Sequence, residues 1–238
     1  RILYLAANII NMITTVNRKI TKFITYGVIS GFFYSLFWII ILVKKNLPDE
    51  ILADNTTYLY FAAVFILLVL LGLYIESYAL ISKENIPIKY IIIFAILFNA
   101  LLVFIPPITS TDLYSYISQS RIVSEYHENP YLVPYDSFSN DKLYSSLKTV
   151  WSRNTAIYGP LFISIGAALT YLSGDNLYLN IFSFKLVFAA INILIIFIIQ
   201  KITNDKKAVF LYAWNPFIIF EFALNSHNDV TLILFVAL

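Results

Sequence analysis

Long apolar runs, broken by few charges, constrain this chain more than any other feature. Ile24 to Val43, Tyr58 to Ile81, Tyr90 to Ile108 and Ile181 to Ile199 lack the alternation that marks a helix or strand with one wet face. Each meets or approaches the ~20 residues a helix needs to cross roughly 30 Å of hydrocarbon at about 1.5 Å per residue. A water-soluble core cannot hold so much apolar material, since 60% of the 238 residues are hydrophobic and only 13% are charged. Lipid is therefore the expected solvent, and an all-α polytopic membrane protein the expected fold class.

The remaining composition narrows the function. A net charge of +2 gives no footprint for a nucleic-acid partner, and 17% aromatic residues argue against disorder. With no cysteine the chain has no disulfide, thiolate nucleophile or cysteine-held metal, and His127 and His227 are its only histidines. No Gly-rich phosphate loop or internal repeat is present. The chain begins at Arg1 and stops inside an apolar run, so it reads as part of something longer, with any span count a lower bound.

Further spans are expected from Ala208 to Leu224, kinked at Trp214-Asn215-Pro216, and from Val230 onward. Arg1 to Met12 suits an interfacial anchor within a cytoplasmic arm, 1–23, and three spans fill 24–108. The positive-inside rule places Arg1, Arg18, Lys19 and Lys22, the turn from Lys83 to Lys89, and Lys201, Lys206 and Lys207 in the cytoplasm. Lys44 and Lys45 count against this, although Asp49, Glu50 and Asp54 follow them. The assignment requires Gly159 to Leu172 not to cross, and to be re-entrant or to lie along the outer surface. Residues 109–176 then form one long outer loop with juxtamembrane helices, 177–238 supply further spans, and 1–238 is one transmembrane domain. Glu76 and Lys185 are expected to snorkel from their spans, and Asn99 and Asn192 to bond between helices.

Chemistry is expected in two polar places, Thr109 to Ile157 and Asn225 to Asp229. After Pro106-Pro107, Thr111 or Asp112 is a natural N-cap for a helix lying on the membrane surface. Its spacing puts Asp112, Ser115, Tyr116 and Gln119 on one face and Leu113 and Ile117 on a lipid-facing one. Asp112 is either a cap or a carboxylate aimed into a cavity. The aromatic stretch Glu125 to Tyr135, with Pro130 and Pro134, suits either an interface belt or a sugar-stacking surface. His127 reads as an ordinary solvated side chain. Arg121, Lys148 and Arg153 are candidates for a phosphate, with Arg121 nearly opposite Asp112 on a continuous helix. Gly159-Pro160 suits a helix start. The last cluster comprises Asn215-Pro216, Glu221 and the turn Asn225-Ser226-His227-Asn228-Asp229, in which Asp229 is expected near a helix end.

These clusters, in this order, resemble the GT-C superfamily of integral-membrane glycosyltransferases. They are most similar to the polyprenol-phosphate-mannose-dependent mannosyltransferases. The matching residues are Asp112-Leu113-Tyr114-Ser115-Tyr116, Asn129-Pro130-Tyr131, Tyr158-Gly159-Pro160-Leu161, Trp214-Asn215-Pro216 and His227-Asn228-Asp229. The resemblance implies a GT-C-like transmembrane helix bundle in the cytoplasmic membrane. It also implies inverting transfer of a hexose, mannose above all, from a polyprenyl-phosphate donor to a glycan or glycolipid acceptor at the outer face. On that reading Asp112 is the general base. Tyr114, Tyr116, Gln119, Arg121, Asn129, Tyr131, Arg153, Tyr158, His227, Asn228 and Asp229 bind substrate. No cofactor is implied with certainty, and the reduction of the family's paired acids to Asp112 beside Thr111 weighs against a divalent metal. A secondary transporter or flippase is the alternative, but such proteins gather ionisable residues near the bilayer midplane, whereas here they cluster outside the spans.

Overall fold

A computed structural model describes residues 18–44 and 57–238 in full and residues 2–17, 45–46 and 49–56 as helical backbone. The anchor expected for Arg1 to Met12 and the acids Asp49, Glu50 and Asp54 lie outside the fully described residues. The described residues form helices and turns without strands. They sort into two compact units, one built from Arg1–Leu102, Ile193–Ile219 and Ala237, the other from Val103–Asn192, Phe220–Val236 and Leu238.

The first unit contains α1 (Ile2–Asn46), α2 (Asp49–Lys83) and most of α3 (Ile88–Val103). Among the described residues three helical segments are long and apolar enough to span a membrane, Arg18–Lys44, Thr57–Lys83 and Leu177–Thr203, and the bent pair Lys206–Ala213 and Pro216–Leu224 makes a fourth where it counts as one span. Lipid tails supply no hydrophobic drive between helices, so close approach and dispersion must hold them. Gly27 on α1 provides that approach, because a Cβ there would lie 2.6 Å from the Phe94 ring of α3. Phe23, Phe94, Phe98 and Phe210 surround the Trp214 indole, whose Nε1 donates to Ile91 O at 3.0 Å. At one end of this unit the Lys19 Nζ lies 2.6 Å from Glu84, and Lys206 reaches Glu84 O and Asn85 at 3.1 and 3.0 Å. Three of the basic segments assigned to one side by charge thus meet at a single polar turn.

The helix α3 is shorter than the span expected over Tyr90 to Ile108, ending at Val103 before Pro106-Pro107. The expected kink divides α8 (Lys206–Ala213) from α9 (Pro216–Ile219), whose helical path continues to Leu224 and is bent by 48° at the break. Pro216 cannot donate a helix hydrogen bond, and Asn215 Oδ1 instead caps the new segment from Phe217 N and Ile218 N at 3.0 and 3.4 Å.

The second unit holds α4 (Asp112–Ser124), a 3₁₀ turn (Tyr135–Phe138), α5 (Tyr144–Leu147), α6 (Pro160–Ser173) and α7 (Leu177–Thr203) as far as Asn192. It also takes a π-helical turn (Phe220–Leu224) and most of α10 (Asp229–Ala237). Gly159 and Pro160 start α6 as expected. At 14 residues, about 21 Å, α6 is short for a crossing. It packs on α4 through Gly166, where a Cβ would lie 2.1 Å from Ser120 Oγ.

Burial within the second unit corrects two expectations. The surface-lying amphipathic helix is instead enclosed by protein, with Leu113 and Ile117 both 0% exposed rather than facing lipid. Spacing identifies an apolar face but not whether lipid or another helix covers it. Lys185 does not snorkel either: it is wholly buried, and its Nζ donates to Ala223 O and Leu224 O at 2.7 and 2.6 Å and approaches Ser226 Oγ at 3.5 Å. The π turn's end carbonyls lack helical donors, so they offer a buried ammonium the partners that water otherwise supplies.

Candidate active site

Two prolines end the chain's path out of α3, and α4 begins at Asp112. Thr111 is the N-cap without a side-chain bond, and the Asp112 amide donates to Ser110 Oγ at 3.1 Å. The Asp112 carboxylate instead lies 3.2 Å from His227 Nδ1. The other ring nitrogen, Nε2, is 3.0 Å from Glu221 Oε2, so one imidazole joins two carboxylates.

Asn225 explains how residues so far apart in sequence meet. Its Oδ1 accepts from Ile108 N and Thr109 N at 3.3 Å each, and its Nδ2 donates to Thr109 Oγ1 at 2.8 Å. The polar turn is thereby tied to the segment leading into α4. Ser226 has a positive φ of 62°, a left-handed conformation that side chains other than glycine adopt at a cost, and Lys185 supports the turn from α7.

The geometry also favours the protonated imidazole. The hydrogen bond to Glu221 raises the His227 pKa above its ordinary value against the opposing effect of burial, and the charges of Glu221, Asp112 and Asp229 add to the rise. Protonated, the ring donates to both carboxylates and holds Asp112 in one orientation. Neutral, it donates to only one of them.

A cavity of about 350 Å³ opens at Asp112, with Ser115, Gln119, Trp151, Asn154 and Tyr158 among its walls. Tyr116 is buried beneath the site, its ring edge-on to Tyr158 at 4.9 Å and its hydroxyl 3.5 Å from Asn228 Oδ1. Burial, before any neighbouring charge, raises the pKa of the Tyr116 phenol. Both tyrosines therefore act here as neutral hydroxyls and ring surface. Asp229 is exposed in the first turn of α10.

Other expected site residues go elsewhere. Arg121 is bound bidentately to Asp141 at 3.0 and 3.1 Å and bonded to Asp175 and Gly174 O at 2.9 Å each. Its side chain is only 2% exposed, so it braces the fold and has no free face for a phosphate. Arg153 is 85% exposed and lies 3.7 Å from Asp136, outside the cavity walls. Asn129 Oδ1 accepts from Tyr131 N at 2.9 Å, forming the turn around Pro130, and the Tyr131 hydroxyl donates to Tyr158 O at 2.7 Å. These two shape the loop. Tyr114 is half-buried, also outside the cavity walls. Glu221, noted in the sequence without a role, and Asn225 and Trp151 acquire roles only from the geometry. A carboxylate six residues before a histidine across a π turn matches no α-helical spacing, which hides Glu221 from periodicity.

Residues 40–238 match the family model described as alpha-(1->6)-mannopyranosyltransferase, N-terminal domain. The chain belongs to this family, MptA_B. Curated relatives include an alpha-(1->6)-mannopyranosyltransferase of Mycobacterium tuberculosis, 29% identical over 135 residues, or 54% of this chain and 23% of that protein. Another, from Mycolicibacterium smegmatis, is named a probable alpha-(1->6)-mannopyranosyltransferase and is 26% identical over 197 residues, covering 79% of this chain and 34% of its own. Alpha-(1->6)-mannopyranosyltransferase A of Corynebacterium glutamicum is 27% identical over 137 residues, 54% of this chain and 27% of that protein. This family member therefore aligns with about a quarter to a third of each relative's length. No solved structure matches the chain.

Proposed function

We propose that this chain carries the acceptor-activating site of a membrane α-(1→6)-mannosyltransferase that uses polyprenyl-phosphate mannose as donor. The carrying observation is the Glu221–His227–Asp112 contact beside an open cavity, at 3.0 and 3.2 Å. A polyprenyl phosphate is already a good leaving group, so the protein's main task is to prepare the acceptor hydroxyl. Asp112 takes the proton from that hydroxyl as its oxygen bonds to C1 of the donor mannose. The C1–O bond to phosphate breaks, and the polyprenyl phosphate leaves with the electron pair. One displacement inverts the anomeric carbon, so an α product calls for a β-linked donor. His227, held by Glu221, keeps the Asp112 carboxylate aimed at the acceptor. The acceptor is a glycan or glycolipid, and the reaction faces the outer side of the cytoplasmic membrane.

The full-length protein tests this with radiolabelled polyprenyl-phosphate mannose and a mannoside acceptor. Transfer is expected from the lipid donor and not from a nucleotide sugar, and robust transfer from the nucleotide sugar defeats the donor assignment. Asp112→Asn keeps the shape and removes the basicity, so turnover should fall about 10²- to 10⁴-fold while expression holds. Undiminished turnover in that variant removes Asp112 from the chemistry.

A further inference from the structure

We infer that the cavity between α4 and the turn around Trp151 is a subsite for the neutral terminal hexose of the acceptor, distinct from the place where the donor's phosphate sits. The inference rests on the transferase reading and adds to it a division of the site.

The walls carry the argument. Asp112, Ser115 and Gln119 occupy one face of α4, three and four residues apart, and line the cavity from one side. Trp151, Asn154 and Tyr158 line it from the other. Among the described residues, the Asp112 carboxylate is the one charged group in this lining. A phosphate placed here would meet that negative charge with no lysine or arginine among the described lining residues to hold it, whereas a sugar brings hydroxyls that a carboxylate accepts from. His227 approaches Asp112 from outside the cavity walls, which leaves the cavity side of the carboxylate for the incoming hydroxyl.

Gln119 is an independent pointer to a ligand. It is 5% exposed, and its Oε1 is buried with no hydrogen-bond partner among the described residues. A donor from outside the protein satisfies it, and a pyranose hydroxyl is such a donor. The opposite wall suits the other surface of a sugar. Trp151 is half exposed, and its backbone N–H donates to Thr149 Oγ1 at 3.2 Å, while Thr149 Oγ1 lies 3.0 Å from Ser115 Oγ. The backbone that carries the indole is thereby tied to α4, and Trp151 in the cavity wall supplies apolar surface for the C–H face of a ring, with polar groups of α4 for its hydroxyls.

The test uses full-length protein and octyl α-mannoside as the probe, titrated without any donor and followed by calorimetry. Saturable binding is expected, weakened about tenfold or more by Trp151→Ala and separately by Gln119→Leu, which keeps size but removes the amide. In turnover assays the same variants should raise the acceptor KM and leave the donor KM unchanged. A raised donor KM with an unchanged acceptor KM assigns the cavity to the donor sugar and overturns the proposal. So does transfer by wild-type protein whose acceptor binding neither variant weakens. Binding that both variants weaken, in a protein that transfers no mannose, supports the hexose subsite and refutes the transferase reading instead.

Discussion

Arg121→Met should destabilise this protein rather than merely weaken substrate binding. Arg121 is 2% exposed and Asp141 0%, and two of the four arginine hydrogen bonds end on that carboxylate. Removing the guanidinium leaves Asp141 with the Leu143 amide, at 2.7 Å, and no opposite charge. Breaking a buried pair from one side costs about 3–5 kcal/mol, mostly from the stranded charge. For a chain of this length that is a fall in Tm of about 6–20 °C. The assay is thermal unfolding of the purified protein in detergent, followed by helical circular dichroism. Replacing both partners removes the stranded charge, so Arg121→Met with Asp141→Leu should recover much of the loss. If Arg121→Met melts with the wild type but no longer binds polyprenyl phosphate, the arginine is a ligand and the bracing role is wrong.

His227→Gln should lower stability in a pH-dependent way. The raised folded pKa makes the imidazole's contribution complete below its unfolded value of about 6.5 and lost as pH rises through the folded value. The Tm gap to wild type should therefore be widest in acid and close toward alkaline pH, and a gap that widens with pH contradicts the carboxylate pairing. Gly166→Leu should destabilise by about 1–3 kcal/mol or more through overpacking against Ser120, whereas Gly72→Leu, with open space at its Cβ, should not; equal melting of the two would refute the close α4–α6 contact. Because the chain has no cysteine, exposed Asn140→Cys should take a membrane-impermeant thiol label in intact cells, and exposed Asn204→Cys only once the membrane is opened. Labelling of both without opening would overturn the charge-based orientation.

What sequence could supply depended on whether the determining partner was local. Pro216 forces its kink through its own missing amide, and the apolar runs from Ile24 and Tyr58 need only the bilayer to define them, so both were legible. Arg121 was not, since its meaning lies in Asp141 and Asp175, on separate parts of the loop. Leu113 and Ile117 showed an apolar face without showing that α6 would cover it. Lys185 resembled any lysine in a span because its partners are backbone carbonyls, which carry no sequence signature. The polar turn from Asn225 was visible as a cluster, while its distance from Asp112 depended on hydrogen bonds that Asn225 Oδ1 accepts from the Ile108 and Thr109 amides.

The π turn before His227 makes the length of this segment a functional quantity. Asn225 N bonds to Phe220 O, five residues back, so the turn holds one residue more than an α-helix would. Loss of a single codon between Phe220 and Leu224 would let the backbone relax into a smoother and locally more comfortable helix. The same loss would swing everything downstream by about 100° and carry the imidazole off Asp112. A one-residue deletion that improves the helix should therefore part His227 from Asp112, so substitutions should be far better tolerated along this stretch than any change in its count.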